Sequence, residues 1–233
     1  MEVILADYLG FCYGVKRAIM IARDNASADS TACTLGPIIH NPQMVERLKQ
    51  EGVGTVERLD DMEKGTVIIR SHGVGPRVYD EAAERGLDLV DATCPHVKKA
   101  QLSAKSLVDE GYHVVIIGEK EHPEVSSIFE WSDGQAEIIE TEEEAETLVP
   151  CAKLGIVCQT TFSGAKFRKV VSCLLAKSRE IKILRTICTA TDQRQTAAVE
   201  LAAAGKEVVV FEAGKVLGGR ARKVALDGRE LDN

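Results

Sequence analysis

Short apolar runs alternate with amphipathic segments along most of the chain. The runs have the length of buried strands, and the following segments carry apolar residues at helical spacing, as Val15, Ala18 and Ala22 do after Cys12. The clearest runs lie at 3–5, 34–39, 66–69, 113–117, 154–158, 181–184 and 206–211, and another at 87–91 leads into Cys94. Strands that alternate with helices predict an α/β protein with parallel sheets. In such a protein the carboxyl ends of the strands open onto a common crevice.

One helix start is marked by its local chemistry. Asn41 is a favourable N-cap and Pro42 is favoured at the first helical position, so we predict a helix that begins at Pro42 and ends near Gly52. His40 therefore lies at the amino terminus of a helix.

Three of the five histidines occupy loops between a predicted strand and a predicted helix, namely His40, His72 and His122. A single loop histidine is usually solvated and idle. Three in equivalent positions favour an anion site, because helix amino termini offer unpaired amides and an imidazolium ring donates from both nitrogens. Glu124 would repel a phosphate placed next to it, so it either holds and delivers a proton or merely favours the helix dipole.

A polar turn follows the run at 154–158 and contains Gln159, Thr160 and Thr161. These side chains either cap the next helix or line the same crevice.

Seven cysteines, an odd number in a chain without an export signal, argue against a disulfide framework. Cys158 and Cys173 fit the pattern of buried core thiols. Cys12, Cys94 and Cys188 instead lie where strands give way to helices, and a helix amino terminus favours the thiolate, the form that binds metal. We therefore expect these three thiolates to converge on one site.

Composition narrows the class of protein. The chain has 233 residues, 45% of them hydrophobic, which is enough for one large domain or two to three small ones. No stretch has the length of a membrane span, the first residues do not resemble a signal peptide, and the net charge of -7 comes without a basic run. We expect a cytoplasmic protein that binds neither nucleic acid nor membrane.

The wide separation of the three cysteines does not match the local pairs of a zinc finger. Iron–sulfur clusters are normally held by four thiolates, so three would leave one iron of a cubane without a protein ligand. Such an iron could act as a Lewis acid toward a substrate oxygen.

A series of motifs, in order along residues 1 to about 210, resembles the 4-hydroxy-3-methylbut-2-enyl diphosphate reductase family of the non-mevalonate isoprenoid pathway. The motifs are GFCYGVKRA at 10–18, IHNP at 39–42, RSHGV at 70–74, DATCP at 91–95, HPEV at 122–125, QTT at 159–161 and CTATDQRQ at 188–195.

The resemblance implies three small α/β domains in a pseudo-threefold arrangement around a central 4Fe-4S cluster. The first domain would span 14–95, the second 96–186, and an incomplete third would combine 1–13 with 187–233. The implied site residues are the cluster ligands Cys12, Cys94 and Cys188, the substrate-binding His40, His72, His122, Gln159 and Thr160, and the catalytic Glu124, His122 and Thr160. The implied partners are a small allylic diphosphate substrate and a ferredoxin or flavodoxin as electron donor.

The sequence departs from the family pattern after the last predicted strand. The family carries a Ser-Ser-Asn-type loop that binds diphosphate, whereas the corresponding stretch here reads EAGKVLGGR at 212–220. Our leading hypothesis is therefore a reductase of this family, impaired if substrate binding is weakened. A second is a relative that binds a cluster without turnover, as a carrier or sensor. A third is a zinc protein or hydrolase that uses the same cysteines.

Overall fold

The computed structural model describes residues 7–26, 31–205, 224–226 and 229–231. It has an α/β fold with two four-stranded parallel sheets, which confirms the predicted class. The runs predicted at 3–5 and 206–211, and the stretch at 212–220, lie outside the described residues. The chain divides into two compact units, Tyr13–Ile187 and a smaller one that combines Met1–Cys12 with Cys188–Asn233. The three-domain boundaries expected from the family resemblance stay a prediction.

The first sheet lies in the larger unit and has the strand order β2-β1-β3-β4. Its elements, with the helix that precedes them, are α1 (Tyr13–Asp24), β1 (Ala32–Leu35), α2 (Pro42–Gln50), β2 (Val53–Val56), β3 (Thr66–Ile69), α3 (Pro76–Glu84) and β4 (Asp88–Asp91). The predicted start of α2 is confirmed, since Oδ1 of Asn41 accepts a hydrogen bond from the Met44 amide at 2.8 Å. The sequence pattern does not predict β2, because Gly54 interrupts its apolar run and only Val53 is buried.

The second sheet, also in the larger unit, has the strand order β6-β5-β7-β8. Its elements are α4 (Pro95–Asp109), β5 (His113–Ile117), α5 (Pro123–Trp131), β6 (Glu137–Ile139), α6 (Glu142–Thr147), β7 (Cys151–Cys158), α7 (Gly164–Leu174) and β8 (Ser178–Ile183). Alternate residues of β5 enter opposite cores. Val114 and Ile116 pack in the core that holds apolar residues of α4 and α5, while Val115 and Ile117 pack in the core of α6 and α7. The sheet is thus covered on both faces, as parallel sheets usually are.

The smaller unit contains α8 (Ala190–Ala203) and a two-stranded antiparallel ribbon of β9 (Val224–Leu226) and β10 (Arg229–Leu231). Across the described residues, no helix combines the length and apolar character needed to cross a membrane.

Candidate active site

Three histidines from three different strand-to-helix loops form one cluster in the larger unit. The ring centroids of His40 and His72 are 4.4 Å apart, and each lies 5.6 Å from the centroid of His122. One ring nitrogen from each histidine lies within 4.8 Å of the other two. His72 is buried, His122 is half-buried and His40 is exposed, so the cluster has a deep side and an open side.

Hydrogen bonds to backbone carbonyls join the loops that carry these histidines. The Ser71 amide donates to the Ile38 carbonyl at 3.1 Å, which links the His72 loop to the segment before His40. The Ser127 hydroxyl lies 3.0 Å from the His72 carbonyl and 2.8 Å from the Glu124 carbonyl, so it ties the first-sheet loop to α5. Because Ser127 is buried, these bonds are shielded from competing water.

The hydrogen bonding of His122 indicates which of its two ring nitrogens carries the proton. His122 is the N-cap of α5, and its Nδ1 accepts a hydrogen bond from the Glu124 amide at 3.1 Å. A nitrogen that accepts carries no proton, so the neutral ring holds its hydrogen on Nε2. An Nε2–H group donates to a phosphate oxygen, whereas a metal ligand must present a lone pair.

Glu124 is buried beside the histidine cluster and is held by Thr160. Its Oε1 accepts from the Thr160 amide at 2.6 Å, and its Oε2 accepts from the Thr160 hydroxyl at 2.9 Å. Both side chains are nearly inaccessible, with 2% and 3% of their surfaces exposed. The carboxyl group therefore has a fixed orientation at the carboxyl ends of β5 and β7.

Gln159 is also buried, and both the oxygen and the nitrogen of its side-chain amide form hydrogen bonds within the protein. Its Oε1 accepts from the Glu119 amide at 2.9 Å, and its Nε2 donates to the Thr161 hydroxyl at 3.1 Å. Gln159 thus connects the loop before His122 to the turn that carries Thr160.

Cys94 is the N-cap residue of α4, and its amide donates to the Ser71 carbonyl at 3.0 Å, next to His72 in the chain. The thiol is half-buried against α1 at Gly14, where a Cβ atom would lie 2.5 Å from Sγ. The glycine therefore provides the space that the Cys94 side chain occupies.

The turn that carries Cys94 is held by polar residues that the sequence analysis did not single out. Asp91 accepts from the Thr93 amide at 2.9 Å and from the Tyr79 hydroxyl at 2.9 Å, and Lys98 lies 3.5 Å from the same carboxylate. Burial raises the pKa of Asp91, but the hydrogen bonds from Thr93 and Tyr79 outweigh it and leave the pKa below its usual value. An aspartate whose side chain accepts from the amide two residues later, as Asp91 does from Thr93, is a common turn signal in sequences.

Arg17 holds the same turn from the other side. Its guanidinium donates to the Thr93 carbonyl at 3.1 Å and to the Asp91 carbonyl at 3.5 Å. It projects from α1, so the helix that follows Cys12 in the chain is fastened to the backbone before Cys94.

The other two predicted ligands belong to the smaller unit, where both thiols are half-buried. Cys12 comes directly before α1, and Cys188 comes two residues before α8. Arg194 of α8 donates to the Gly10 carbonyl at 2.9 Å, which ties the segment before Cys12 to the helix after Cys188. That these thiols meet Cys94 stays a prediction.

The remaining cysteines lie within strands and a helix. Cys158 is fully buried in the core of the second sheet, and burial raises the pKa of its thiol, with a further contribution from Glu124. Cys173 packs at the edge of the same core. The prediction of a buried core thiol is confirmed for Cys158, whereas Cys173 is only half-buried.

The parallel sheets, with polar side chains collected at their carboxyl ends, define an α/β enzyme. The family model described as LytB protein matches residues 3–217. A Geotalea daltonii protein named 4-hydroxy-3-methylbut-2-enyl diphosphate reductase is 46% identical over 202 residues, which cover 87% of this chain and 72% of that protein. A Geobacter protein (strain M21) of the same name is 43% identical over 232 residues, which cover 99% of this chain and 81% of the relative.

Two solved structures are similar to the chain. A structure of (E)-4-hydroxy-3-methyl-but-2-enyl diphosphate reductase, described as the terminal enzyme of the non-mevalonate pathway, gives a TM-score of 0.77 at 40% identity and covers 87% of this chain and 73% of its own. The corresponding reductase from Plasmodium falciparum gives a TM-score of 0.78 at 30% identity, covering 84% and 63%. The chain belongs to the LytB family of 4-hydroxy-3-methylbut-2-enyl diphosphate reductases and is an oxidoreductase.

Proposed function

We propose that the chain removes the hydroxyl group of 4-hydroxy-3-methylbut-2-enyl diphosphate reductively, to give isopentenyl and dimethylallyl diphosphates. The reaction breaks the carbon–oxygen bond, consumes two electrons and two protons, and releases water. The observation that carries this proposal is the histidine cluster beside the Glu124–Thr160 pair, which combines donors for an anion with a buried carboxyl group.

The donor set fits the 4Fe-4S cluster that the family implies. Cys12, Cys94 and Cys188 would hold it, and each lies at or just before the amino terminus of a helix, where a thiolate is favoured. The missing Cβ atom at Gly14 makes room for the Cys94 thiol itself, which supports a constrained position for this ligand. When bound, such a cluster supplies single electrons and, with three protein ligands, one iron open to an oxygen ligand.

In this proposal the histidines bind and orient the diphosphate. His122 donates from Nε2, because its Nδ1 is used by the Glu124 amide. His72 lies on the buried side and His40 on the exposed side, so the anion would enter past His40. A hydrogen bond to a charged group contributes about 1.5–3 kcal/mol, so the loss of any one histidine would be measurable.

Glu124 and Thr160 would handle protons at the hydroxyl end of the substrate. Thr160 donates its hydroxyl hydrogen to Glu124, and a proton on the carboxyl group would reach the substrate directly or through Thr160. Protonation turns the departing hydroxide into water, which is the better leaving group. Gln159 would act by holding the turn that positions Thr160.

Product analysis tests the proposal. The protein is reconstituted with iron and sulfide without oxygen, supplied with the hydroxylated diphosphate and reduced methyl viologen, and compared with a relative known to turn over. We expect both product isomers. A loaded cluster without product would instead support the carrier or sensor function, and bound zinc with no visible charge-transfer band would support the zinc function.

A further inference from the structure

A groove of about 670 Å³ opens on the larger unit beside the Cys94 turn. Thr93 and Pro95, the chain neighbours of Cys94, form part of its wall, and the exposed side of α4 forms much of the rest. Cys94 therefore lies between two residues that line the groove.

The groove is positively charged on a protein that is negative overall. Arg17, Lys98 and Lys99 line it, and Asp91 alone is acidic among the described residues of its wall, whereas the whole chain carries -7. Arg17 donates to backbone carbonyls, which orients its guanidinium without neutralising it. Lys98 Nζ lies 3.5 Å from the Asp91 carboxylate and 4.8 Å and 4.6 Å from the ring centroids of Tyr79 and Trp131, so its position is fixed and its charge is partly balanced. Arg17 and Lys99 therefore supply the excess positive charge of the groove.

The groove also has apolar lining residues. Leu102 of α4 is 51% exposed and lines it together with Leu184. An apolar centre with a charged border is the usual composition of a protein interface. Fixed charges of one sign steer an oppositely charged partner to its site.

We propose that this groove is the docking surface for an acidic one-electron carrier protein of the flavin or iron–sulfur type. The inference rests on the proposed function, which needs two single electrons for each turnover. Electron-transfer complexes have small interfaces and short lifetimes, so a groove of limited area with charge complementarity is sufficient to form one. Docking here would bring the carrier next to the turn that holds Cys94.

Charge reversal at Lys99 tests the proposal. Lys99 is exposed, and the matched control is Lys49→Glu on α2, an exposed lysine that does not line the groove. Turnover is measured with two reductants, a purified acidic flavodoxin and reduced methyl viologen. We expect Lys99→Glu to raise the KM for flavodoxin by about tenfold or more at low salt. The control variant should keep the wild-type value, and high ionic strength should narrow the difference.

Methyl viologen separates this proposal from the proposed function. The reduced dye is a small cation that needs no protein interface, so its rate should not fall in Lys99→Glu. Leu102→Asn should also raise the flavodoxin KM, without the dependence on salt. Equal flavodoxin KM values for Lys99→Glu and Lys49→Glu would overturn the docking surface. If wild-type protein shows no viologen-driven turnover, the proposed function fails. The docking surface is then tested by titrating flavodoxin against cluster-loaded wild type, Lys99→Glu and Lys49→Glu. Equal affinities for the three proteins would overturn it.

Discussion

Glu124 accepts two hydrogen bonds from one residue, Thr160, through both of its carboxylate oxygens. The amide donates to Oε1 at 2.6 Å and the hydroxyl to Oε2 at 2.9 Å. The pair joins the helix that begins after His122 to the turn that follows β7. Two loops of the second sheet thereby fix one carboxyl group beside the histidine cluster, and this geometry allows its role to be tested separately from binding.

Glu124→Gln should lower turnover by about a hundredfold or more while cluster content stays normal. General acid catalysis contributes about 10²–10⁴-fold, and the amide of glutamine cannot give up a proton to the substrate. The measurement is viologen-driven turnover, with the visible spectrum as a control for the cluster. Near-normal turnover would remove Glu124 from the reaction.

Two variants of His122 distinguish the roles of its two ring nitrogens. Asparagine can still cap α5 with its side-chain oxygen but has no donor at the Nε2 position, whereas alanine loses both functions. We expect His122→Asn to weaken substrate binding by roughly ten- to a hundredfold with little change in the melting temperature. His122→Ala should also lose about 1 kcal/mol of stability. Wild-type affinity in His122→Asn would contradict the donor role.

Gly14→Ala should reduce cluster content, because the added methyl group would meet the Cys94 thiol at 2.5 Å. Overpacking of this kind costs about 1–3 kcal/mol when the neighbours cannot move away. Gly164→Ala is the matched control, since the nearest atom to its Cβ position is the end of the Arg168 side chain at 3.9 Å. Iron analysis after reconstitution gives the readout. Full iron content in Gly14→Ala would show that the contact does not constrain the thiol.

Asp91→Asn should destabilise the protein at neutral pH by roughly 1 kcal/mol, since the bonds to Tyr79 and Lys98 lose their charge. The pKa of Asp91 is lower in the folded state than in the unfolded state, where it is near 4. The stability that the Asp91 carboxylate contributes is therefore present above the unfolded-state pKa and is lost as the pH falls through the folded-state pKa. The stability difference between wild type and variant should therefore shrink in acid. Urea unfolding at pH 7 and at pH 3 measures it, and a constant difference would contradict the assignment.

Local signals in the sequence predicted much of the fold. The buried runs at 66–69 and 113–117 are the strands β3 and β5, and Asn41 with Pro42 gave the start of α2, because each of these features depends on neighbouring residues only. The short strand β2 was missed, since it gains its stability by pairing with β1 across a helix.

The long-range contacts of the site could not be predicted in the same way. Tyr79 and Asp91 meet because α3 leads into β4, and Arg17 reaches the Asp91 turn from a helix more than 70 residues earlier in the chain. The neighbouring positions of His40 and His72 depend on the order of β1 and β3 in the sheet, which the sequence pattern does not specify.

Mössbauer spectroscopy of protein loaded with ⁵⁷Fe, before and after addition of the hydroxylated diphosphate, detects both the proposed cluster and its contact with substrate. If Cys12, Cys94 and Cys188 hold one 4Fe-4S cluster next to the histidine cluster, about four irons should bind per chain and one of them should change its signal when substrate is added. A spectrum that substrate leaves unchanged, or a Cys94→Ser variant that keeps the full cluster, would rule out the proposed site.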